Sequence, residues 1–416
     1  MMQPIRGFKD ILPSEIEWWQ KIYIKSLELF RLFNYQEIRT PILEYNALFL
    51  REKEALSNPL SKEMYSFYDK NQRYLSLRPE GTASIMRAYL SNKLYLNNYL
   101  QKLWYFSPMF RYERPQLGRQ RQFYQLGLEC IGSLNPASDV EIIRLITLLF
   151  DFFYVKGYTL EINSIGNILE RSLYIKKLKE YLDPYLLDFS VEEKKKFKFN
   201  PLKLLDTKNQ KIQAILAEGP SIMHFLEEKS LKHFYTVCNN LNCLGISFKI
   251  TSNLVRGLDY YNYTAFEIKR SCQYKKQTLA GGGRYDSLCS TLGGPFVPAV
   301  GGAIGLERFL LATEQDKTNS LYQRDQKILI LTKDVSSAKY IWFIVTFLIE
   351  NNISFELDSS SHKLKDKILR ANNMGIKICL IINTKDIDNS CILLKNLDLH
   401  LNKLIKIQDL IKYLKY

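Results

Sequence analysis

Residues Phe110 to Gly132 read FRYERPQLGRQRQFYQLGLECIG, two extended limbs around an arginine-rich connection. In the first limb Met109, Arg111 and Glu113 share a face by the two-residue period of a strand. Pro115 and Gly118 break the pattern and mark the loop. In the second limb Arg121, Phe123, Gln125, Gly127 and Glu129 share one face, and Tyr124, Leu126, Leu128 and Cys130 the other. A hairpin with one solvated face also alternates in this way. Two features favour a pocket instead. Gly127 bares the backbone in mid-strand, and the charges are short-range opposites rather than a lysine coat. An anion and a small polar substrate would suit that face.

The chain has 416 residues, enough for two to four domains, and its 46% hydrophobic content supports a substantial core. A net charge of +15 favours a polyanionic partner such as nucleic acid, although lysine-rich surfaces of a basic proteome give the same balance. Seven scattered cysteines, an odd number, argue against a disulfide framework and for a reducing compartment. Cys238 and Cys243 lie closest, but no second pair or suitably spaced histidine accompanies them, so no structural zinc is expected. No apolar run approaches the roughly 20 residues that span a bilayer, and no membrane association is expected. No targeting leader is expected ahead of Gly7. The richness in lysine, isoleucine, asparagine and tyrosine points to an AT-rich genome, bacterial or plastid.

Ser14 and Glu17 form a capping-box pattern, and Trp19, Ile22, Tyr23, Leu27 and Phe30 follow at the spacing of a packed helix face. A strand over Tyr35–Ile38 leads to Pro41, an edge residue. Met64–Leu77 reads as a hairpin that delivers Arg78-Pro79-Glu80-Gly81-Thr82, with Thr82 placed to cap the next helix. Asn135–Asp139 is a turn before an apolar helix running to about Tyr154, and Tyr158–Ile162 is a strand. From about 167 to 245 the pattern is helical and carries no chemistry-bearing motif, so it reads as an insertion. Its charge run Glu192–Lys196 is a solvated face rather than an RNA contact. A strand resumes at Ile246–Ile250. Polar Gln315–Gln323 is the expected linker between a unit 1–325 and a unit 326–416. In the latter, Lys327–Leu331, Ile353–Leu357 and Ile376–Ile382 alternate with helical stretches, which predicts a small α/β domain with a mostly parallel sheet.

The Phe110–Gly132 hairpin resembles the second signature motif of class II aminoacyl-tRNA synthetases, in the form seen in the histidyl family. Arg256-Gly257-Leu258-Asp259-Tyr260-Tyr261 and Gly281-Gly282-Gly283-Arg284-Tyr285-Asp286 are similar to the two segments peculiar to that family. Gly301 to Arg308 resembles the third class II motif, and Gly7 to Pro13, with the helix and strand ending at Pro41, the first. The match is collinear from about residue 3 onward. It implies an α+β fold, an antiparallel sheet flanked by helices, with a helical insertion and a C-terminal α/β anticodon-binding domain. The implied activity is ATP-dependent ligation of L-histidine to its tRNA through a histidyl-adenylate, releasing AMP and diphosphate. A homodimer built on the first motif is implied, in bacterial cytoplasm or plastid stroma. Mg²⁺ would arrive with ATP, joined at most by Glu113 and held by no protein cage.

By the same resemblance, Arg111 meets the α-phosphate and the substrate carboxylate, and Arg256 adds a second cation there. Glu113, Arg119 and Arg308 belong to the ATP end. Glu80, Gly81, Thr82 and Gln125 surround the substrate α-amino group; Glu129 and Tyr261 meet the imidazole; Tyr260 and Tyr285 line the same pocket. Tyr112, Leu117 and Gln120 depart from the family's usual histidine, lysine and tyrosine in the loop. The first step needs no general base, because the attacking carboxylate is already ionised. His224, His233, His362 and His400 lie outside every motif, which disfavours a histidine-based hydrolase. The P-loop and dinucleotide fingerprints are missing. Two rivals lack chemistry: the synthetase-like regulatory subunit of histidine biosynthesis, and a tRNA-binding module. Arg111, Glu129, Arg256 and Arg308, together with the C-terminal unit, favour the enzyme.

Overall fold

The computed structural model describes residues 2–50, 63–97, 100–207, 209–256, 260–272, 275–315, 328–332, 338–358, 360, 362–387 and 390–414. Its contacts divide the chain into two units, Met1–Lys317 and Thr318–Tyr416.

In the first unit, β1 (Gln36–Glu37) precedes a small antiparallel sheet made of β2 (Leu43–Tyr45), β3 (Ser66–Tyr68) and β4 (Tyr74–Leu77) in the order 2-4-3. The long strands are β5 (Gln101–Phe110), β6 (Gln122–Ile131) and β7 (Tyr158–Ser164), followed by β8 (Phe248–Ile250), β9 (Asn262–Cys272), β10 (Lys275–Arg284) and β11 (Ala299–Gly305). They form one eight-stranded sheet in the order 1-5-6-11-10-9-7-8. Only the outer pairs β1/β5 and β7/β8 are parallel.

β5 and β6 pair from Gln101↔Ile131 to Phe110↔Gln122. The first limb therefore ends at Phe110, and Arg111 and Glu113 stand on the loop rather than on a strand face. Arg111 N still donates to Arg121 O at 2.8 Å, which draws the loop's two ends together. The period-two alternation sorts the rest. Trp104, Leu126, Leu128, Cys130, Phe266 and Val300 are each at most 2% exposed and belong to one apolar cluster. That cluster includes side chains of helices α1 (Pro13–Leu32), α2 (Thr82–Ser91) excepted, and α3 (Pro136–Phe152). Burying such a side chain contributes about 1.5–3 kcal/mol, so the helix-covered face holds the sheet together. The opposite face carries Tyr105, Gln125, Gly127 and Glu129.

Two expected caps are not formed as drawn. Helix α1 begins at Pro13, whose fixed φ and missing N–H suit a first helical position, so Ser14 is already helical and cannot cap; Leu12 is the N-cap, without a side-chain bond. In α2, Thr82 is likewise the first helical residue, and Glu80 supplies the cap by accepting from Thr82 N at 2.6 Å and Ala83 N at 2.9 Å. The Asn135 turn opens α3 directly, its side chain accepting from Ala137 N. Between β7 and β8 lie α4 (Ile168–Leu182), α5 (Val191–Phe199), α6 (Gln210–Ala217) and α7 (Glu228–Cys243). Capping boxes open α4 at Asn167–Glu170 and α5 at Ser190–Glu193. After β11, α8 (Leu306–Gln315) closes the unit's described part.

The second unit has β12 (Ile328–Thr332), α9 (Ala338–Glu350), β13 (Phe355–Leu357), α10 (Leu364–Asn373) and β14 (Ile378–Ile382), followed by β15 (Cys391–Asn396) and β16 (Leu401–Lys406). β12 pairs in parallel with β13 and β14, whereas β15 and β16 extend the sheet antiparallel, a hairpin the sequence pattern had not separated. Most of the linker span Gln315–Gln323 lies outside the described residues.

Candidate active site

The polar face of the large sheet carries a cavity of about 200 Å³. Its floor is made of β6, β10 and β11, where Gln125, Ala280, Gly281, Gly302 and Ala303 line it. Tyr105, from β5, explains two of the glycines. A Cβ on Gly127 would lie 2.1 Å from Tyr105 Cζ, and one on Gly81 2.4 Å from the same atom. The ring fits only because both neighbours are bare.

At one end, Glu80, Thr82, Tyr260 and Tyr261 join Gln125 in the lining. Burial pushes the Glu80 carboxyl up, while its bonds from the Ala83 and Thr82 amides pull it back. The Tyr260 hydroxyl lies 3.4 Å from Glu80 Oε2. Glu129 and Tyr285 sit one layer behind the lining. Glu129 is 1% exposed, accepts from Thr82 Oγ1 at 2.7 Å, and also accepts from the Tyr285 hydroxyl. Burial raises the Glu129 carboxyl to about 8, against the pull of those two donors and with a further push from Glu80. The same burial, with the Glu129 charge, drives the Tyr285 hydroxyl well above its ordinary value. Gly81 does not line the cavity; its part is to admit the Tyr105 ring.

The other end is cationic. Arg111, Arg119, Arg256 and Arg308 line it with the carboxylates of Glu113 and Glu307. Arg111 Nε donates to Pro79 O at 2.9 Å, and its guanidinium lies 5.1 Å from the Phe123 ring centre. Arg119 pairs with Glu113 at 2.7 Å. Arg308, in the first turn of α8, donates to Gly118 O at 3.0 Å and to Thr278 O at 2.8 Å, so it ties the arginine-rich loop to β10. Burial lowers its pKa, and the neighbouring Arg119 lowers it further. Arg256 is held by Glu267 of β9. Gly257, Leu258 and Asp259 lie outside the described residues. The Arg256 Nε is buried and has no hydrogen-bond partner among the described residues. Of the three loop departures, Gln120 lines the cavity, while Leu117 is exposed and Tyr112, half exposed, supports Arg121 at 3.8 Å.

Sequence reasoning missed Tyr105, Glu267, Thr278 and Glu307. Tyr105 and Glu267 fall on the polar phase of apolar strands, a signal present but shared with every solvated strand face. Glu307 lay inside a recognised motif; its carboxylate accepts from Tyr124 N at 2.9 Å, and burial raises it to about 7. His233 faces Asp139 and Thr264, at 3.5 and 3.3 Å, and does not line the cavity. No group of three or more metal-ligating side chains occurs among the described residues.

A cavity with four arginines at one end and buried carboxylates at the other can hold a polyphosphate beside a zwitterion. Comparison with known proteins agrees. The family described as histidyl-tRNA synthetase matches residues 7–309, and that described as anticodon binding domain matches 327–416. The chain is 50% identical over 397 residues to the chloroplastic histidine–tRNA ligase of Gracilaria tenuistipitata var. liui, covering 95% of this chain and 94% of the relative. It is 40% identical to the histidine–tRNA ligase of Cyanothece sp., covering 95% and 91%. The apo histidyl-tRNA synthetase of S. aureus superposes with a TM-score of 0.83 at 33% identity, covering all of both chains.

Proposed function

The chain belongs to the histidyl-tRNA synthetase family and joins L-histidine to its tRNA, and we propose that both steps take place in the cavity on the sheet's polar face. In the first step the histidine carboxylate attacks the α-phosphate of ATP; a P–O bond forms and diphosphate leaves. In the second, a terminal ribose hydroxyl of the tRNA attacks the adenylate carbonyl and AMP leaves. Charge on phosphorus is the main demand of the first step, and fixed guanidinium forks meet it without a proton transfer.

Arg111 and Arg256 take the α-phosphate, with Arg111 also meeting the substrate carboxylate. Arg308 and Arg119 hold the rest of the triphosphate. Glu113 would be the carboxylate to join a Mg²⁺ carried in on the ATP phosphates, an ion that would screen their charge. The unpartnered buried Nε of Arg256 carries this reading, because a buried donor left without an acceptor is unfavourable until a ligand oxygen supplies one. Glu80 and Gln125 face the ammonium, with Thr82 and Gly81 shaping that corner. Tyr260 and Tyr261 wall the imidazole, with Glu129 and Tyr285 behind them. Glu129 accepts from Thr82 and Tyr285, and so it would act on that side chain through the hydroxyls it fixes.

The unit over 327–416 reads the tRNA, and residues 1–325 carry the chemistry. The net charge of +15 supports a polyanionic partner. Leu43, Tyr45 and Phe67 share one face of the small sheet by register and are 40–59% exposed, an apolar surface suited to a second copy of the chain. No helix among the described residues is long and apolar enough to cross a membrane. With plastid and cyanobacterial relatives, a plastid stroma or a bacterial cytoplasm is the proposed setting. The test is histidine-dependent exchange of labelled diphosphate into ATP, followed by charging of a histidine tRNA transcript. Exchange with no amino-acid dependence, or none at all, refutes the reading and leaves a non-catalytic relative.

A further inference from the structure

Arg256 follows β8 in the chain, and its guanidinium is held by three features of later residues. Glu267, on β9, receives a hydrogen bond from its Nη1. Gly281, on β10, gives it room: a Cβ there would lie 2.6 Å from Nη1 and 3.0 Å from Nη2. The Tyr261 ring centre lies 5.6 Å from Cζ. Glu267 is itself held, by Lys269 Nζ at 3.2 Å and by Thr278 Oγ1 at 3.4 Å. Lys269 continues to Glu161 on β7 at 2.7 Å. The row Arg256, Glu267, Lys269, Glu161 thus alternates in sign from the segment before β9 across β9 to its neighbour β7 and sums to zero.

We propose that Glu267 is a positioning residue for adenylation, orienting the Arg256 guanidinium toward the substrate phosphate while Lys269 cancels the carboxylate's own charge. This rests on the reading of Arg256 given above. Two effects of Glu267 oppose each other. A carboxylate beside the cation repels an incoming phosphate, and it also removes the freedom of a long side chain. Lys269 weakens the first effect, since its ammonium lies within ion-pair distance of the same Oε2 that Thr278 approaches. Gly281 and the Tyr261 side chain also confine the guanidinium, but Glu267 is the carboxylate that anchors Nη1, and Nε has no partner among the described residues. Orientation therefore wins. A displacement of about 1 Å in such a group costs on the order of 100-fold in rate.

The test is a double-mutant cycle on the full-length protein, read by histidine-dependent diphosphate exchange. Glu267→Ala is expected to lower kcat roughly 10- to 100-fold, with KM for histidine and ATP moved much less. Glu267→Gln, which keeps an oxygen at the same reach, is expected to recover part of the loss and guards against a folding failure of the alanine variant. In an Arg256→Ala background neither substitution should lower kcat further, because the group they orient is gone. Equal losses from Glu267→Ala and Glu267→Gln in the wild-type and Arg256→Ala backgrounds would overturn the proposal and make Glu267 a purely structural member of the sheet. Wild-type kcat in Arg256→Ala alone would instead refute the role of Arg256 itself.

Discussion

Replacing Glu129 with glutamine should remove most of the pH dependence that this carboxyl imposes on stability. In the fold its pKa is about 8, against 4.5 for the free side chain, chiefly because burial opposes the charge. Between those values the folded chain holds a proton that the unfolded chain has released. Stability is therefore complete below about pH 4.5, falls as pH rises, and levels off above about 8. Each pH unit is worth roughly 1.4 kcal/mol, so the interval amounts to about 5 kcal/mol, and roughly 3 kcal/mol of it falls between pH 5.5 and 8. Glu129→Gln keeps the side chain's size and one oxygen for Thr82 Oγ1 or the Tyr285 hydroxyl, its amide standing where the protonated carboxyl oxygen does. Urea unfolding of both proteins at pH 5.5, 7 and 8, without ligand, reads the difference. The wild type should lose stability relative to the variant as pH rises. Parallel pH profiles would refute the reasoning, because they would mean that the two hydroxyl donors keep Glu129 ionised throughout.

Four further outcomes are expected. Glu129→Ala should raise KM for histidine far more than KM for ATP, and equal changes in the two would make Glu129 a structural strand residue. Arg256→Ala should lower the adenylation kcat by about 10²–10³, as loss of one preorganised donor does, with Arg256→Lys recovering only part because a point charge cannot reproduce the fork; stopped-flow or exchange rates near wild type would remove it from the mechanism. Gly127→Ala forces a Cβ to 2.1 Å from the Tyr105 ring, so it should destabilise the first unit by about 1–3 kcal/mol and impair adenylation, as thermal melts and exchange assays would report. Ending the chain after Lys317 should leave histidine activation measurable and tRNA charging greatly weakened, whereas loss of both in a folded truncation would give the second unit a share in the active site.

The sequence alone determined the hairpin, its two faces and the cavity's chemistry. Period-two alternation from Tyr124 to Cys130 assigns the core side of β6 without any neighbour being known, because a strand's side chains can only alternate. It pointed too to arginines rather than histidines for the cavity, since His224, His233, His362 and His400 fall outside the motifs and four arginines fall inside or beside them. Helix starts were less legible: Ser14 and Thr82 have the chemistry of caps, but a preceding proline or a carboxylate two residues earlier took the position. Only the tertiary structure decided what meets what. Gly127 is a mid-strand oddity until Tyr105, 22 residues earlier, lies over it, and Glu129 is one carboxylate among many until burial raises it to about 8. Glu267 reaches Arg256 because β9 and β10 run side by side beneath the guanidinium. Such pairings depend on strand order and register, which are settled by the burial of the whole sheet and not by any local run of residues.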